Sequence, residues 1–196
     1  TAFALYRIEQ EGAAIEDTVF PYAGDCCYRN QGQVVSQGFD AEISGEVAPG
    51  LQLMAGYTYA HVVDKESDES RDAFAGVTPK HLFKLWGTWQ LPGQLQDWKV
   101  GLGATSQSRT SKNGYVTSFN PDSGKFDGDD VSYKFMQAGY TVWNSSIDYR
   151  IDEHWSATLN ANNLFDKRYY ATVGTAAYNN FYGDPRNFML TVRAKF

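Results

Sequence analysis

The sequence predicts an all-β chain, an antiparallel transmembrane β-barrel portion of about eight strands. Three observations carry this reading. Segments of about ten residues place apolar side chains on every second position, the period of a strand with one greasy and one wet face. The connections between them alternate long and short from one end of the chain to the other. Aromatic residues gather at both ends of the segments, where rings settle at the headgroup level of a bilayer.

The first segment, Thr1 to Glu9, alternates Phe3, Leu5 and Arg7 with Ala4, Tyr6 and Ile8. No turn or cap precedes it, so it reads as cut from something longer. Gln10 to Gln31 shows no periodicity, contains Gly, Pro and both cysteines, and reads as a long loop. The second strand, Gln33 to Val47, sets Phe39, Ala41, Ile43 and Val47 against Asp40, Glu42, Ser44 and Glu46. Ala48-Pro49-Gly50 is a tight turn. The third strand follows at once, with Leu51, Leu53, Ala55, Tyr57 and Tyr59 on one side and Gln52, Gly56 and Thr58 on the other.

An acidic loop, Asp64 to Val77, leads to the fourth strand, Pro79 to Leu91, where Phe83, Leu85 and Trp89 alternate with Lys84, Trp86 and Thr88. A short turn, Pro92 to Asp97, opens the fifth, carrying Trp98, Val100, Leu102 and Ala104. Ser106 to Gly139 is the longest loop. The sixth strand, Tyr140 to Ile151, has Trp143, Ile147 and Tyr149 opposite Asn144, Ser146 and Asp148; after Asp152-Glu153 the seventh carries Trp155, Ala157, Leu159 and Ala161. The loop Asn163 to Asp184 precedes the terminal strand, whose Phe188, Leu190, Val192, Ala194 and Phe196 alternate with Thr191, Arg193 and Lys195.

In an antiparallel meander, strict long–short alternation puts every long loop at one end and every tight turn at the other. Outer-membrane barrels are built this way, with extracellular loops and short periplasmic turns. Trp89, Trp98 and Trp155 stand beside the short turns, and Tyr57, Tyr59, Tyr140 and Trp143 nearer the long loops.

Composition narrows the functions. In 196 residues there are 18 Gly, 13 Tyr and 12 Phe against 3 Met, a balance suited to strands and turns. A net charge of -6 supplies no basic stripe for phosphates, so nucleic acid is set aside as a partner. No apolar run reaches the ~18 residues of a membrane helix. Thr1 to Gln10 lacks the basic, apolar and cleavage regions of a signal peptide, so the chain reads as a mature form or a fragment.

Catalysis finds no support. His61, His81 and His154 are far apart and show no metal spacing, and no nucleophile elbow or phosphate loop stands out. Neither a catalytic set nor a metal site is expected. Cys26-Cys27 reads as a loop staple in an oxidising space, the pair bonding to each other in a strained ring or one of them to a partner outside the chain. Asp122 to Asp130 is acidic but lacks the order of a calcium loop, and reads as solvated. Ligand recognition is the better candidate. The long loops carry Tyr115, Tyr133, Tyr170, Tyr178, Phe181 and Tyr182, and an aromatic funnel offers a flat, partly greasy chelate large contact area at low entropy cost.

The run from Asn162 through Leu164-Phe165-Asp166-Lys167 to Tyr170, followed by Gly183-Asp184-Pro185-Arg186-Asn187 and a terminal Phe, resembles the C-terminal end of TonB-dependent receptors. The ferric-siderophore branch is the most similar. Gly38 to Glu42 and Ala55 to Tyr59 also fit it, so the resemblance spans Gly38 to Phe196. It implies a barrel of about 22 strands around a plug, of which residues 1–196 would be a C-terminal part without the plug or the TonB box. It also implies the outer membrane of a Gram-negative bacterium, a ferric siderophore as transported ligand with no resident cofactor, a monomer, and partnership with lipid and the TonB complex. The alternatives are a free-standing eight-stranded outer-membrane barrel with a structural or adhesion role, and a soluble β-barrel binder.

Overall fold

The computed structural model describes residues 1–16, 28–65 and 76–196. Among them are twelve strands: β1 (Ala2–Glu16), β2 (Tyr28–Ala48), β3 (Leu51–Asp64), β4 (His81–Gln90), β5 (Trp98–Gln107), β6 (Thr110–Thr117), β7 (Asp130–Gln137), β8 (Tyr140–Arg150), β9 (Trp155–Asn162), β10 (Tyr170–Thr172), β11 (Phe181–Tyr182) and β12 (Asn187–Ala194). Eight of these form one antiparallel sheet in the order β1-β2-β3-β4-β5-β8-β9-β12. The strands β1 and β12 are its two edges and do not pair with each other, so the eight strands do not close into the free-standing barrel of the alternative reading.

Register turns eight alternating sequences into two continuous faces. Leu190, Leu159, Ile147, Val100, Trp89 and Leu51 lie opposite one another along one row, and Ile43, Ala55, Leu85, Ala104 and Trp143 along another. One residue away the rows read Thr191, Thr158, Asp148, Lys99 and Gln90, and Glu42, Gly56, Lys84 and Thr105. A slip of one residue in any strand would interchange its faces, so the alternation itself sets the register. Cross-strand hydrogen bonds tie the polar face: the Thr58 hydroxyl donates to Asp40 at 2.7 Å and that of Thr158 to Asp148 at 2.6 Å.

The apolar face is bare. Leu5, Phe3 and Leu190 are each about two-thirds exposed or more, and no second layer of described residues covers that side. A contiguous apolar surface on this scale is costly in water. Lipid as its solvent removes the cost, and the aromatic residues mark the lipid boundary. At the short-turn end Trp98 stacks on Tyr149 at 4.3 Å and Trp155 meets Phe196 edge-on at 6.2 Å. At the other end Phe39 packs on Phe3, Tyr57 and Tyr59 within 6 Å, and the Tyr57 hydroxyl bonds His81 Nδ1 at 2.6 Å.

The short turns are built as their residues require. Gly50 takes φ +73°, which an L side chain rarely adopts, and its N–H donates to Glu46 at 2.9 Å. Between β4 and β5 lies a single 3-10 turn, Gly93–Leu95. Asp152 accepts from the N–H groups of both His154 and Trp155 at 2.8 Å, closing β8 onto β9.

Three loop boundaries differ from the sequence reading. The expected loop Gln10 to Gln31 instead continues β1 to Glu16 and starts β2 at Tyr28, the two strands staying paired up to Glu16 and Tyr28. The long loop Ser106 to Gly139 folds largely into the hairpin β6–β7, and Asn163 to Asp184 contains the small hairpin β10–β11. In the upper parts of β1 and β2 and in β6 both faces carry polar residues, so the backbone ladder persists without the apolar alternation that announces a strand; β10 and β11 are too short to show a period, and β7 does alternate, with Val131, Tyr133 and Phe135 on one face.

Candidate functional site

The connections at the long-loop end rise from a polar hub at Asn163. This residue takes φ +49°, a left-handed conformation that Asn tolerates, and is only 3% exposed. Its side-chain oxygen accepts from Lys167 N–H at 2.8 Å, and its amide nitrogen donates to the carbonyls of Lys167 and Asp184, both at 2.9 Å. Its own N–H donates to the Asn144 side chain at 2.9 Å. Asp166, also left-handed, accepts from Arg186 N–H at 3.1 Å, and Asn162 donates to Asn187 at 2.9 Å. The runs Asn163 to Lys167 and Asp184 to Asn187 are thus two halves of one clamp at the top of β9 and β12. The sequence reading quoted both runs without seeing that a single buried amide joins them.

Above the clamp, Gly183 is where it is because the Tyr169 ring lies against it: a Cβ there would sit 2.0 Å from a ring carbon. Tyr169 in turn packs on Tyr140 at 4.2 Å. Burial, and then the Asp184 carboxylate, raise the Tyr169 phenol above its ordinary range.

The six candidate aromatics divide into separate groups. Tyr170 and Tyr182 are brought together as cross-strand partners, with rings stacked at 4.4 Å and hydroxyls 2.9 Å apart. That hydrogen bond chiefly raises the Tyr170 phenol above its usual value. Phe181, next to Tyr182 in β11, falls on the alternate face and is 61% exposed. Tyr178 stands at the tip, 72% exposed, in a turn fixed by its N–H donating to the Thr175 hydroxyl at 3.0 Å and by Thr175 N–H donating to its carbonyl at 2.9 Å.

Tyr115 and Tyr133 belong to the other hairpin. Tyr133 is paired with Gly114, whose missing side chain makes room for its ring, while Tyr115 is paired with Ser132; the two tyrosines therefore occupy opposite faces. A hydrogen bond joins the two hairpins: Gln137 accepts from Tyr170 N–H at 2.9 Å. The sequence reading missed Phe126, exposed at the β6–β7 tip and edge-on to Phe119 at 5.4 Å. Cys26 and Cys27 lie outside the described residues. So does most of the acidic loop.

The polar face carries a groove of about 530 Å³ around Trp86, bordered by Glu42, Lys84, Thr105 and Asn144. The indole lies over Gly103 and Gly101, where a Cβ would come within 2.2 and 2.8 Å of it.

Comparison with known proteins bears on both faces. The family model for the TonB dependent receptor-like β-barrel matches residues 1–164. The ferric-pyoverdine M114 receptor PbuA of Pseudomonas sp. strain M114 is 44% identical over 200 residues, and the ferripyoverdine receptor of Pseudomonas aeruginosa 32% identical over 202. All of this chain is covered in both, but it spans only 22% and 23% of those relatives' lengths. The crystal structure of the ferripyoverdine receptor of the outer membrane of Pseudomonas aeruginosa, bound to ferripyoverdine, superposes with a TM-score of 0.78 at 30% identity. That superposition covers 99% of this chain and 24% of that receptor.

Proposed function

The chain belongs to the TonB-dependent receptor β-barrel family of the outer membrane, and from that premise we propose that residues 1–196 are a C-terminal part of the barrel wall and outer vestibule of a receptor for a ferric siderophore. The sheet does no chemistry in this reading. Its apolar face meets lipid, its polar face lines the lumen, and the loops above the clamp capture the chelate before transport powered through the TonB complex.

The observation that carries the reading is the superposition of 99% of this chain on 24% of a receptor bound to ferripyoverdine. The relatives at 44% and 32% identity are ferric-pyoverdine receptors as well, which favours a pyoverdine-class chelate as cargo. Within the loops, the stacked pair Tyr170–Tyr182 offers a rigid wall, and exposed Tyr178 and Phe181 offer rings that need no desolvation by the protein itself. Tyr115 and Tyr133, on opposite faces of β6–β7, contribute one contact at most from each side of that hairpin.

The test uses the complete receptor in detergent. Binding of a ferric pyoverdine and of a ferric catecholate is titrated for the unaltered protein and for Tyr178→Ala and Tyr182→Ala. The expected result is preference for the pyoverdine and a loss of about tenfold per ring removed, the size of an interface residue worth more than ~1 kcal/mol. Affinity unchanged in both variants removes these rings from the site, and preference for the catecholate overturns the assignment of cargo.

A further inference from the structure

The hairpin β6–β7 forms a sheet of its own and joins the wall through two short connections, residues 108–109 from β5 and residues 138–139 to β8. Its β6 edge is tied sideways to the β3–β4 connection, where Ser111 N–H donates to the Gly76 carbonyl at 2.7 Å. Its β7 edge is tied to the second aromatic hairpin by Gln137, the last residue of β7. The carboxamide of Gln137 is held at both ends. Its nitrogen donates to the Ala138 carbonyl at 2.7 Å, which turns its oxygen toward β10, and that oxygen accepts from Tyr170 N–H at 2.9 Å in a part-buried contact. Three residues further on, the Tyr140 ring packs on Tyr169 at 4.2 Å. The connection from β7 to β8 thus grips the two residues that lead into the stacked pair Tyr170–Tyr182.

Tyr140 shares the polar face of the sheet with Val142 and Asn144, so this grip lies on the side away from lipid. Alternation carries the same side up the hairpin. Phe135 and Tyr133 fall on the face of Gln137 and Tyr115 on the other. The Tyr133 ring is laid across Gly114, where a Cβ would come within 2.5 Å of its hydroxyl, and the root of the face is closed by Thr110, the partner of Gln137, which is buried.

We propose that Gln137 is a positioning residue of the chelate site: by pinning β7 to Tyr170 it fixes the opening between two aromatic walls, Tyr133 and Phe135 on one hairpin and Tyr170 and Tyr182 on the other. The ligand in this inference is that of the chelate reading, on which it rests, while the pin is a property of the empty protein. Walls held at a set opening bind without first having to be ordered. With the pin removed, the hairpin keeps its two connections and the Ser111 tie and swings about them. The fraction of molecules whose walls face each other falls, and the apparent affinity falls by that fraction. Every ring stays in place on its own hairpin, so the loss is one of registration and not of contact area.

The test uses the complete receptor in detergent, with spin labels attached through keto amino acids at Lys125, in the β6–β7 tip, and Ala176, in the β10–β11 tip. Distance distributions are recorded by pulsed electron spin resonance without ligand, and binding of a ferric pyoverdine is titrated on the unlabelled proteins. Gln137→Leu removes the acceptor at similar volume, and Gln137→Glu keeps one. Thr117→Val is the control, since it removes a hydrogen bond to Asp130 within the same hairpin and none to β10. Heat-dependent mobility in detergent gels confirms that each variant is folded. The leucine variant should broaden the distance distribution and weaken binding about fivefold, the equivalent of one net hydrogen bond. The glutamate variant should restore both, and the control should alter neither. Tyr182→Ala should weaken binding less in the leucine background than alone, because the two residues act through one wall. A distribution unchanged in Gln137→Leu overturns the proposal, as does weakened binding that Gln137→Glu fails to restore, or losses at Gln137 and Tyr182 that multiply. A receptor that binds no ferric pyoverdine refutes the assignment of cargo instead, and the ligand-free distances then still decide the pin.

Discussion

Replacing Asn163 by alanine should loosen the clamp that carries the aromatic loop. The side chain makes three hydrogen bonds, one accepted from Lys167 and two donated to the carbonyls of Lys167 and Asp184, in an environment only 3% exposed. At about 1 kcal/mol net for each, their loss costs about 3 kcal/mol. A further ~1 kcal/mol arises because alanine must hold φ at +49° with a Cβ in the left-handed region. Asn163→Gly loses the same bonds and avoids that second cost. Amide hydrogen exchange of the segment from Asn163 to Tyr170, followed in the complete receptor, reads local opening directly. At ~1.4 kcal/mol per tenfold, exchange at the Lys167 N–H should quicken by roughly a hundredfold in the glycine variant and toward a thousandfold in the alanine variant. Exchange within threefold of the unaltered protein in both, or faster opening with glycine than with alanine, would refute the reasoning.

Two more perturbations follow from the same structure. Gly103→Ala drives a Cβ to 2.2 Å from the Trp86 ring and 2.7 Å from the Leu85 carbonyl, so thermal denaturation should show a loss of about 1–3 kcal/mol; adding Trp86→Ala should recover only part, because the carbonyl stays. Tyr182→Phe removes the hydroxyl that chiefly raises the Tyr170 phenol. A raised phenol favours the neutral pair in the folded loop, so its contribution is full below the ordinary phenol range and is lost as pH climbs through the raised value. Carbon-labelled tyrosine NMR should therefore show Tyr170 ionising at lower pH in the variant; an unchanged titration would mean that the stacked pair does not form.

The barrel strands were legible because lipid enforces a strong two-residue period. Leu190, Leu159, Ile147 and Val100 announce themselves in sequence and meet in one row in space. What was not legible lies above the lipid. The upper parts of β1 and β2 and the strand β6 carry polar residues on both faces, so little in their pattern separates ladder from loop, whereas β7 alternates Val131, Tyr133 and Phe135 with Asp130, Ser132 and Lys134, a period of two that the loop reading passes over. Pairing also decides which aromatics meet: Tyr170 and Tyr182 are twelve residues apart and stack, whereas Tyr115 and Tyr133 flank one hairpin and diverge. The hub at Asn163 escaped notice because burial of a single amide leaves no periodic trace.

Depth-dependent quenching tests most directly whether lipid covers one side of this sheet. Single cysteines at Leu159, Ile147 and Leu190, and at their neighbours Thr158, Ser146 and Thr191, are labelled with a fluorophore in the complete receptor reconstituted into bilayers. A lipid-borne quencher should reach the first three and spare the second three. Quenching of both sets alike, or of the polar set alone, would contradict the assignment of faces and with it the membrane reading.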